Sequence, residues 1–534
     1  MEPDEARYSD IPSLMNRTGD YVTPRLNHVV YLEKPPLGYW ATAFFFKIFG
    51  ENEFSSRLFA ALCAWGCIFL VYRMGTYFHD ERTGLYSAGV LSTFLYHSIL
   101  GKINILDMPL TFFVCLATWA GYRYFAEDRQ KKGWVYLLYI SSALAFLTKG
   151  LIGIVFPFAI MILWLFISGR WRDVPRLFSP VGIILLLIIS CPWIILVQKA
   201  NPDFLWFFFV QEHFLRYTTE ISHRSHGFWL YVPIVILGTL PWSAFLLKAW
   251  KGMKQKSVPL FKTSEKRFLL VWVFFILIFF SISKSKLIPY IAPIFIPTGV
   301  LFGHFFRAYE DWDRSPEGGR GRRFLYQLPI FLQSLAFIAL LLSPTFVKNT
   351  ELGRYLGDYS VGKWWPLIIL PILFQVMIIF LPDLAKRRWK RGWFMTIATL
   401  SALFLISAHF PLAHLLAPVR SAHPVSKAIR ALLPPNQELY QFRVSLYGID
   451  FYNKIRTPLV GACGELEFGL THLSPGEFSR YYLSFEEFFK RCKENGTIYC
   501  VTRYKKNVEI LKSRLPALKI LWDNGEFYLL QLRC

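Results

Sequence analysis

Asp4, Glu5, Arg7 and Tyr8 crowd the stretch PDEARYSD at residues 3–10, and Glu33 and Lys34 open the helix-breaking EKPP of YLEKPPLGYW at 31–40. Acid, base and phenol alternate within a few residues, the mixture that holds an anion and stabilises a leaving group. The same types recur further on. Asp107 stands in NILDMPL at the start of an apolar run. A lone Asp there serves as a helix cap, or, at membrane depth where a carboxylate is expensive, as a functional group. Lys149 lies in a TKG turn, and Lys284 and Lys286 lie in SKSKLIPY with Tyr290 close behind. Such lysines either snorkel to headgroups or grip a phosphate as mobile point charges. In QEHFLRY, Glu212 and Arg216 are four apart and share a helix face. His213, with His223 and His226, could join Glu33 around a divalent, zinc-like metal, although three His in a loop are a weak signal.

These side chains are scattered along a chain of 534 residues that is 54% hydrophobic, 18% aromatic and 18% charged, with 51 Phe. That is too apolar for a soluble core, and a polytopic membrane protein is expected. Apolar segments near 55–78, 84–101, 108–125, 134–148, 151–168, 179–197, 228–247, 268–283, 288–306, 324–343, 364–381 and 392–410 give about twelve spans. Alternate loops carry the Lys and Arg clusters, among them Arg170, Arg172 and Arg176, the lysines of 248–266, and Lys386 to Arg391. Those loops are therefore cytoplasmic. The net charge of +23 follows from this topology. No basic stripe interleaves with aromatics, which argues against nucleic acid as a partner.

Residues 1–54 and the tail from about 411 then face outward. An outward N-terminal segment normally follows a first helix, so a span upstream of Met1 is expected. FFFKIFGENEF at 44–54 reads as an amphipathic piece in the membrane interface. Beyond about 420 the composition turns polar. NQELYQFRVSLYG, RTPLVG, GTIYCVTRY and EFYLLQLRC read as strands, and SFEEFFKRCKE and KKNVEILKSRL as amphipathic helices, which makes a small α/β domain covering or docking the acceptor. Cys463, Cys492, Cys500 and Cys534 lie there without CxxC spacing, and a disulfide among them has no readable pairing. The organisation expected is a catalytic juxtamembrane segment at 1–54, a multi-span domain at 55–410 and an α/β domain at 411–534.

The carboxylates, cations and His belong to outward segments, while the spans are nearly free of charge. A transporter or flippase would instead place such groups near the bilayer midplane. An enzyme acting at the leaflet surface on an anionic, lipid-linked substrate fits better, and all these groups are expected to line one cavity.

PDEARY, YLEKPPLGYW, LDMPL, TKG, QEHFLRY and SKSKLIPYIAP occur in that order. The ordered set resembles the lipid A 4-amino-4-deoxy-L-arabinose transferase (ArnT) family, within the wider polyprenyl-phosphate-sugar glycosyltransferases that include protein O-mannosyltransferases. The resemblance covers nearly the whole chain. It implies a GT-C membrane fold in the bacterial inner membrane, with the active site facing the periplasm. It also implies an undecaprenyl-phosphate sugar donor and lipid A phosphate as acceptor, a lipopolysaccharide modification that resists cationic antimicrobial peptides such as polymyxin. Transfer of another sugar, such as mannose, to protein or glycan is the neighbouring alternative. By the same resemblance Asp4 and Asp107 would be the catalytic carboxylates, and Lys34 and Arg216 would hold donor phosphate. Lys149, Lys284, Lys286 and Tyr290 would complete the anion-binding rim, Glu5, Arg7 and Tyr8 would line the cavity, and Glu33 and His213 would match a metal site. SKSK departs from a common Gly between the two lysines, which leaves the local backbone open.

Overall fold

The computed structural model describes residues 2–127, 132–218, 227–245, 264–313, 392–435, 437–515 and 517–534, together with 369, 373–374 and 376–377. The spans expected at 324–343 and over most of 364–381, the end of the one at 228–247, and His223 and His226 lie outside the described residues. The chain divides into two compact units, one holding Met1–Ser56 and Phe410–Cys534, the other drawn from Arg57–Leu341 and Trp365–His409.

In the first unit, α1 (Asp4–Thr18) carries Asp4 and Glu5 in its first turn and Arg17 in its last, which matches the helix dipole at both ends. A two-stranded hairpin follows, β1 (Arg25–Leu26) against β2 (Val29–Val30). Pro36 caps α2 (Leu37–Phe49), whose Tyr39, Thr42, Ala43 and Phe46 are buried. Phe44, Ile48 and Phe49 are exposed on it, as an interface-lying helix requires.

The second unit is helical: α3 (Glu53–Phe78, which begins in the first unit), α4 (Glu81–Ser92), α5 (Leu95–Leu100), α6 (Asp107–Ala126), α7 (Gly133–Lys149), α8 (Ile152–Ile167), α9 (Pro180–Ala200), α10 (Tyr231–Gly238), α11 (Ser264–Ile282), α12 (Phe295–Asp313) and α13 (Gly392–Arg420, which ends in the first unit). By length and composition, Glu53–Phe78, Pro180–Ala200 and Ile288–Ala308 are long and apolar enough to cross a membrane. Ile184, Ile188, Ile195 and Leu196 of α9 are exposed, as expected of a face turned to lipid. The run 84–101, expected as one span, breaks at Thr93, whose hydroxyl accepts from Trp242 Nε1 at 2.8 Å. Asp80 caps α4 by accepting from the Thr83 N–H at 2.7 Å. The α7–α8 turn is tight because Gly150 takes φ +88° and Gly153 lies on the α7 backbone, where a Cβ would come within 2.4 Å of Phe146 N. This turn presents Lys149.

The α/β part of the first unit contains α14 (His423–Leu432), β3 (Leu439–Phe442), α15 (Gly448–Asn453), β4 (Leu459–Val460), α16 (Glu467–Thr471), α17 (Pro475–Tyr481), β5 (Tyr482–Leu483), α18 (Phe485–Asn495), β6 (Thr497–Arg503), α19 (Lys505–Arg514), β7 (Lys519–Asp523) and β8 (Phe527–Arg533). The sheet order is β5-β4-β3-β6-β8-β7. The pairs β5–β4, β4–β3 and β3–β6 are parallel, whereas β8 is antiparallel to both β6 and β7. Strand order reverses between β3 and β6, so their carboxyl ends form the switch point at which such sheets present a crevice. Cys492 and Cys534 form a disulfide, fixing α18 to the end of β8, while Cys463 and Cys500 are free.

Candidate functional site

The predicted residues fall into two groups, one in each unit. In the first unit, the opening turn of α1 sets Asp4 three residues before Arg7, and Arg7 Nη2 lies 3.3 Å from Asp4 Oδ1. The Asp4 carboxylate is 62% exposed and the Arg7 side chain only 6%. Arg7 also pairs with Glu465 Oε2 at 2.5 Å and lies over the rings of Tyr8 and Tyr31, 5.5 and 5.8 Å from their centroids. Burial works against its charge, but Tyr31, Tyr8, Glu465 and Glu33 outweigh it and hold the guanidinium firmly protonated. Tyr8 stacks on Tyr39 at 6.0 Å. The hydroxyls of Tyr31 and Tyr39 are buried, and burial pushes both phenols well above their ordinary range. Glu5 is buried and its backbone carbonyl accepts the Ser9 hydroxyl at 2.7 Å. Lys34 Nζ donates to the Glu33 carbonyl at 2.8 Å and sits 3.8 Å from the Glu33 carboxylate. Arg7 thus draws Asp4, Tyr8 and Glu33 into one electrostatic cluster.

In the second unit, Asp107 is the first residue of α6 and Leu106 is its cap, so the capping alternative gives way to an ion pair. Lys149 Nζ reaches Asp107 Oδ1 at 2.6 Å, both side chains being nearly buried, and lies 5.0 Å from the Tyr290 ring centroid. Arg216 pairs with Glu212 at 2.6 Å, the expected i, i+4 contact, at the end of the π-type helix Trp206–Leu215. Lys284 is exposed and its backbone N–H bonds the Tyr217 carbonyl at 3.2 Å. Lys286 is buried and donates to the Ser283 carbonyl at 2.5 Å.

The metal expectation does not fit the residues described. His213 Nδ1 bonds the Phe208 carbonyl at 2.6 Å, and Nε2 accepts the Leu151 N–H at 3.2 Å, so neither ring nitrogen is offered to an ion. Among the described residues no group of three or more His, Cys, Asp or Glu is placed to hold one. His213 instead buttresses the turn that carries Lys149, packing where a Cβ on Gly150 would be.

Tyr31, Tyr39 and Glu465 belong to the first cluster and were not singled out from the sequence. Tyr31 stands at the head of YLEKPP and had a signal in its neighbours. Glu465, some 430 residues beyond Lys34 in CGELEFG, had none.

The helical fold with its small α/β part is that of a membrane glycosyltransferase of the GT-C class, on the following likenesses. Residues 33–195 match the family described as dolichyl-phosphate-mannose-protein mannosyltransferase. The undecaprenyl phosphate-α-4-amino-4-deoxy-L-arabinose arabinosyl transferase of Edwardsiella ictaluri is 26% identical over 99% of this chain and 94% of its own length. A Proteus mirabilis protein of the same name, numbered 1, is 34% identical over 58% of this chain and 56% of its own. The crystal structure of ArnT from Cupriavidus metallidurans bound to undecaprenyl phosphate superposes with a TM-score of 0.81 at 25% identity, covering 99% of this chain and 93% of that one. The chain is thus similar over nearly its whole length to aminoarabinose transferases of the ArnT type.

Proposed function

We propose that this protein transfers 4-amino-4-deoxy-L-arabinose from undecaprenyl phosphate to a phosphate of lipid A, at the periplasmic face of the bacterial inner membrane. The observation that carries this reading is the end-to-end likeness to an ArnT bound to undecaprenyl phosphate. The Cys492–Cys534 disulfide supports an oxidising compartment for the α/β part. In this reading residues 1–54 form the periplasmic catalytic segment, 55–410 the spans and 411–534 the periplasmic domain.

In the transfer, a lipid A phosphate oxygen attacks the anomeric carbon of the sugar. The anomeric C–O bond to the carrier breaks, and undecaprenyl phosphate leaves with the electron pair. Negative charge grows on that leaving phosphate, where preorganised cations in a water-poor site act best. Lys34, Lys149 and Arg216 are assigned to it, with Lys284, Lys286 and Tyr290 completing the rim. Each of the first three rests against its own carboxylate, so the phosphate joins or displaces a resident anion on binding. An acceptor phosphate is already ionised near neutral pH and needs little base assistance. Asp4 and Asp107 then orient acceptor and sugar, Asp4 from the exposed position and Asp107 through Lys149, while Glu5, Arg7 and Tyr8 form the wall behind Asp4. No step is routed through a metal on His213.

The match of residues 33–195 to mannosyltransferases favours a second reading, transfer of a different sugar to another acceptor. Mass spectrometry of lipid A from cells with and without the protein separates the two. A pentosamine on lipid A phosphate that appears only with the protein is expected. An unchanged lipid A profile, with the carrier-linked pentosamine present, overturns the assignment.

A further inference from the structure

The first unit has a seam along which its N-terminal segment meets the α/β part. Several contacts run along it. Arg7 pairs with Glu465, Arg17 with Asp450 at 2.9 Å, Asn27 Nδ2 donates to the Thr457 carbonyl at 3.0 Å, and Lys454 donates to Ser13 Oγ at 2.9 Å. Glu465 lies in the short turn Gly464–Leu466 that leads into α16. That helix lies on the hairpin that runs into Tyr31–Lys34. A Cβ at Gly469 would come within 2.1 Å of the Val30 carbonyl oxygen, so only glycine permits the approach. The segment Gly464–Gly469 of the α/β part therefore touches Arg7 through Glu465 and, through Gly469, the hairpin that precedes Glu33 and Lys34.

We infer that Glu465 is a positioning residue for the transfer, fixing the Arg7 guanidinium so that Arg7 in turn orients the Asp4 carboxylate. Arg7 Nη2 stands 3.3 Å from Asp4 and 2.5 Å from Glu465. Without the second carboxylate the buried guanidinium has Asp4 as its nearest ionic partner, and Asp4 is drawn inward, away from the sugar. The α/β part is then a template for the site rather than a cover over it. This rests on the proposed role of Asp4.

The test is a double-mutant cycle in the full-length protein, purified in detergent and assayed with undecaprenyl-phosphate-linked aminopentose and lipid A. Glu465→Gln is expected to lower kcat about 10- to 100-fold with KM for the donor little changed, the size that misplacing a reacting group produces. Glu465→Gln combined with Asp4→Asn is expected to be no slower than Asp4→Asn alone, because both act on one carboxylate. A merely structural Glu465 would give losses that multiply, and that result overturns the inference. So does full transfer by Glu465→Gln beside a slow Asp4→Asn. Unchanged transfer by Asp4→Asn overturns the role of Asp4 and the inference together. Should Glu465→Gln fail to accumulate, Glu465→Asp, which keeps the charge, is carried through the same cycle with the same outcomes.

Discussion

Asp4 and Asp107 both open a helix and both face a cation, yet their surroundings differ. Asp4 is largely in solvent, and its Arg7 is buried with a second carboxylate, Glu465, behind it. Asp107 and Lys149 are 11% and 12% exposed, and each is the other's close ionic partner. An exposed pair contributes about 0–1 kcal/mol, whereas removing one partner of a buried pair strands the other at about 3–5 kcal/mol. The first acid is thus available to a ligand at little structural cost, and the second is part of the scaffold whatever its proposed role in the transfer. The contrast follows from local structure. Asp4 is the exposed first residue of an otherwise largely buried helix, whereas Asp107 begins α6 against the α7 terminus, where Gly150 and Gly153 bring the turn close.

Substitution at Asp107 should break the comparison most visibly. Asp107→Ala leaves the Lys149 ammonium nearly buried without its partner, and thermal unfolding in detergent is expected to show a loss of about 3 kcal/mol together with loss of transfer. Asp107→Leu with Lys149→Met removes both charges. It should recover most of the stability and none of the activity. If Asp107→Ala melts like the parent, the pair is not structural and the contrast with Asp4 disappears.

A smaller effect is expected at Asp4. Asp4→Asn leaves Arg7 paired with Glu465, so unfolding should shift by less than about 1 kcal/mol. Transfer to a phosphate acceptor should fall by less than about 100-fold, since general-base catalysis, worth about 10²- to 10⁴-fold, is not required of it. A loss of 10³-fold or more at unchanged stability would point to a hydroxyl acceptor and hence to the second reading of function.

Much of this was present in the sequence, for reasons that can be named. The helical spans follow from apolar run length, and the α6, α7, α8 and α9 ranges agree with those runs within a few residues. Strands β3, β4, β6 and β8 and helices α18 and α19 carry the periodicities expected of them, but β5 at Tyr482–Leu483 is too short to signal itself. The break at Thr93 was hidden because hydropathy does not register a hydroxyl that accepts from a distant indole. The acids and cations proposed for the site stand out in the sequence because charge beside an apolar run is conspicuous. Their pairing was not, since Asp107 and Lys149 are 42 residues apart and Arg7 and Glu465 meet only through the fold. The surroundings of His213 were hidden on the same ground. The sequence shows a ring with two nitrogens, and only the backbone of Phe208 and Leu151 shows both occupied.

The seam that seats Arg7 also carries a buried acid of a different kind, and it makes the smallest and most specific prediction. Asp10 is fully buried, with Oδ2 accepting the Asn27 N–H at 2.9 Å. Burial, and then the nearby Asp450, raise its pKa well above the ordinary carboxylate range, against the lowering pull of that hydrogen bond, Arg17 and Lys454. His28, 3.2 Å from Asp450, and Glu51, paired with Lys454, complete the charges around it. A raised acid binds its proton more tightly in the folded state than in the unfolded one. Its contribution is therefore fully present below the ordinary value near 4 and is lost as pH climbs towards the raised value, at about 1.4 kcal/mol per pH unit per proton. Asp10→Asn keeps an oxygen for Asn27 and has no proton to lose, so its unfolding temperature between pH 5 and 8 should fall less steeply than that of the parent. Equal slopes would place the titrating group elsewhere and leave Asp10 ionised in the seam, where Arg17 and Lys454 would have to hold two carboxylates instead of one.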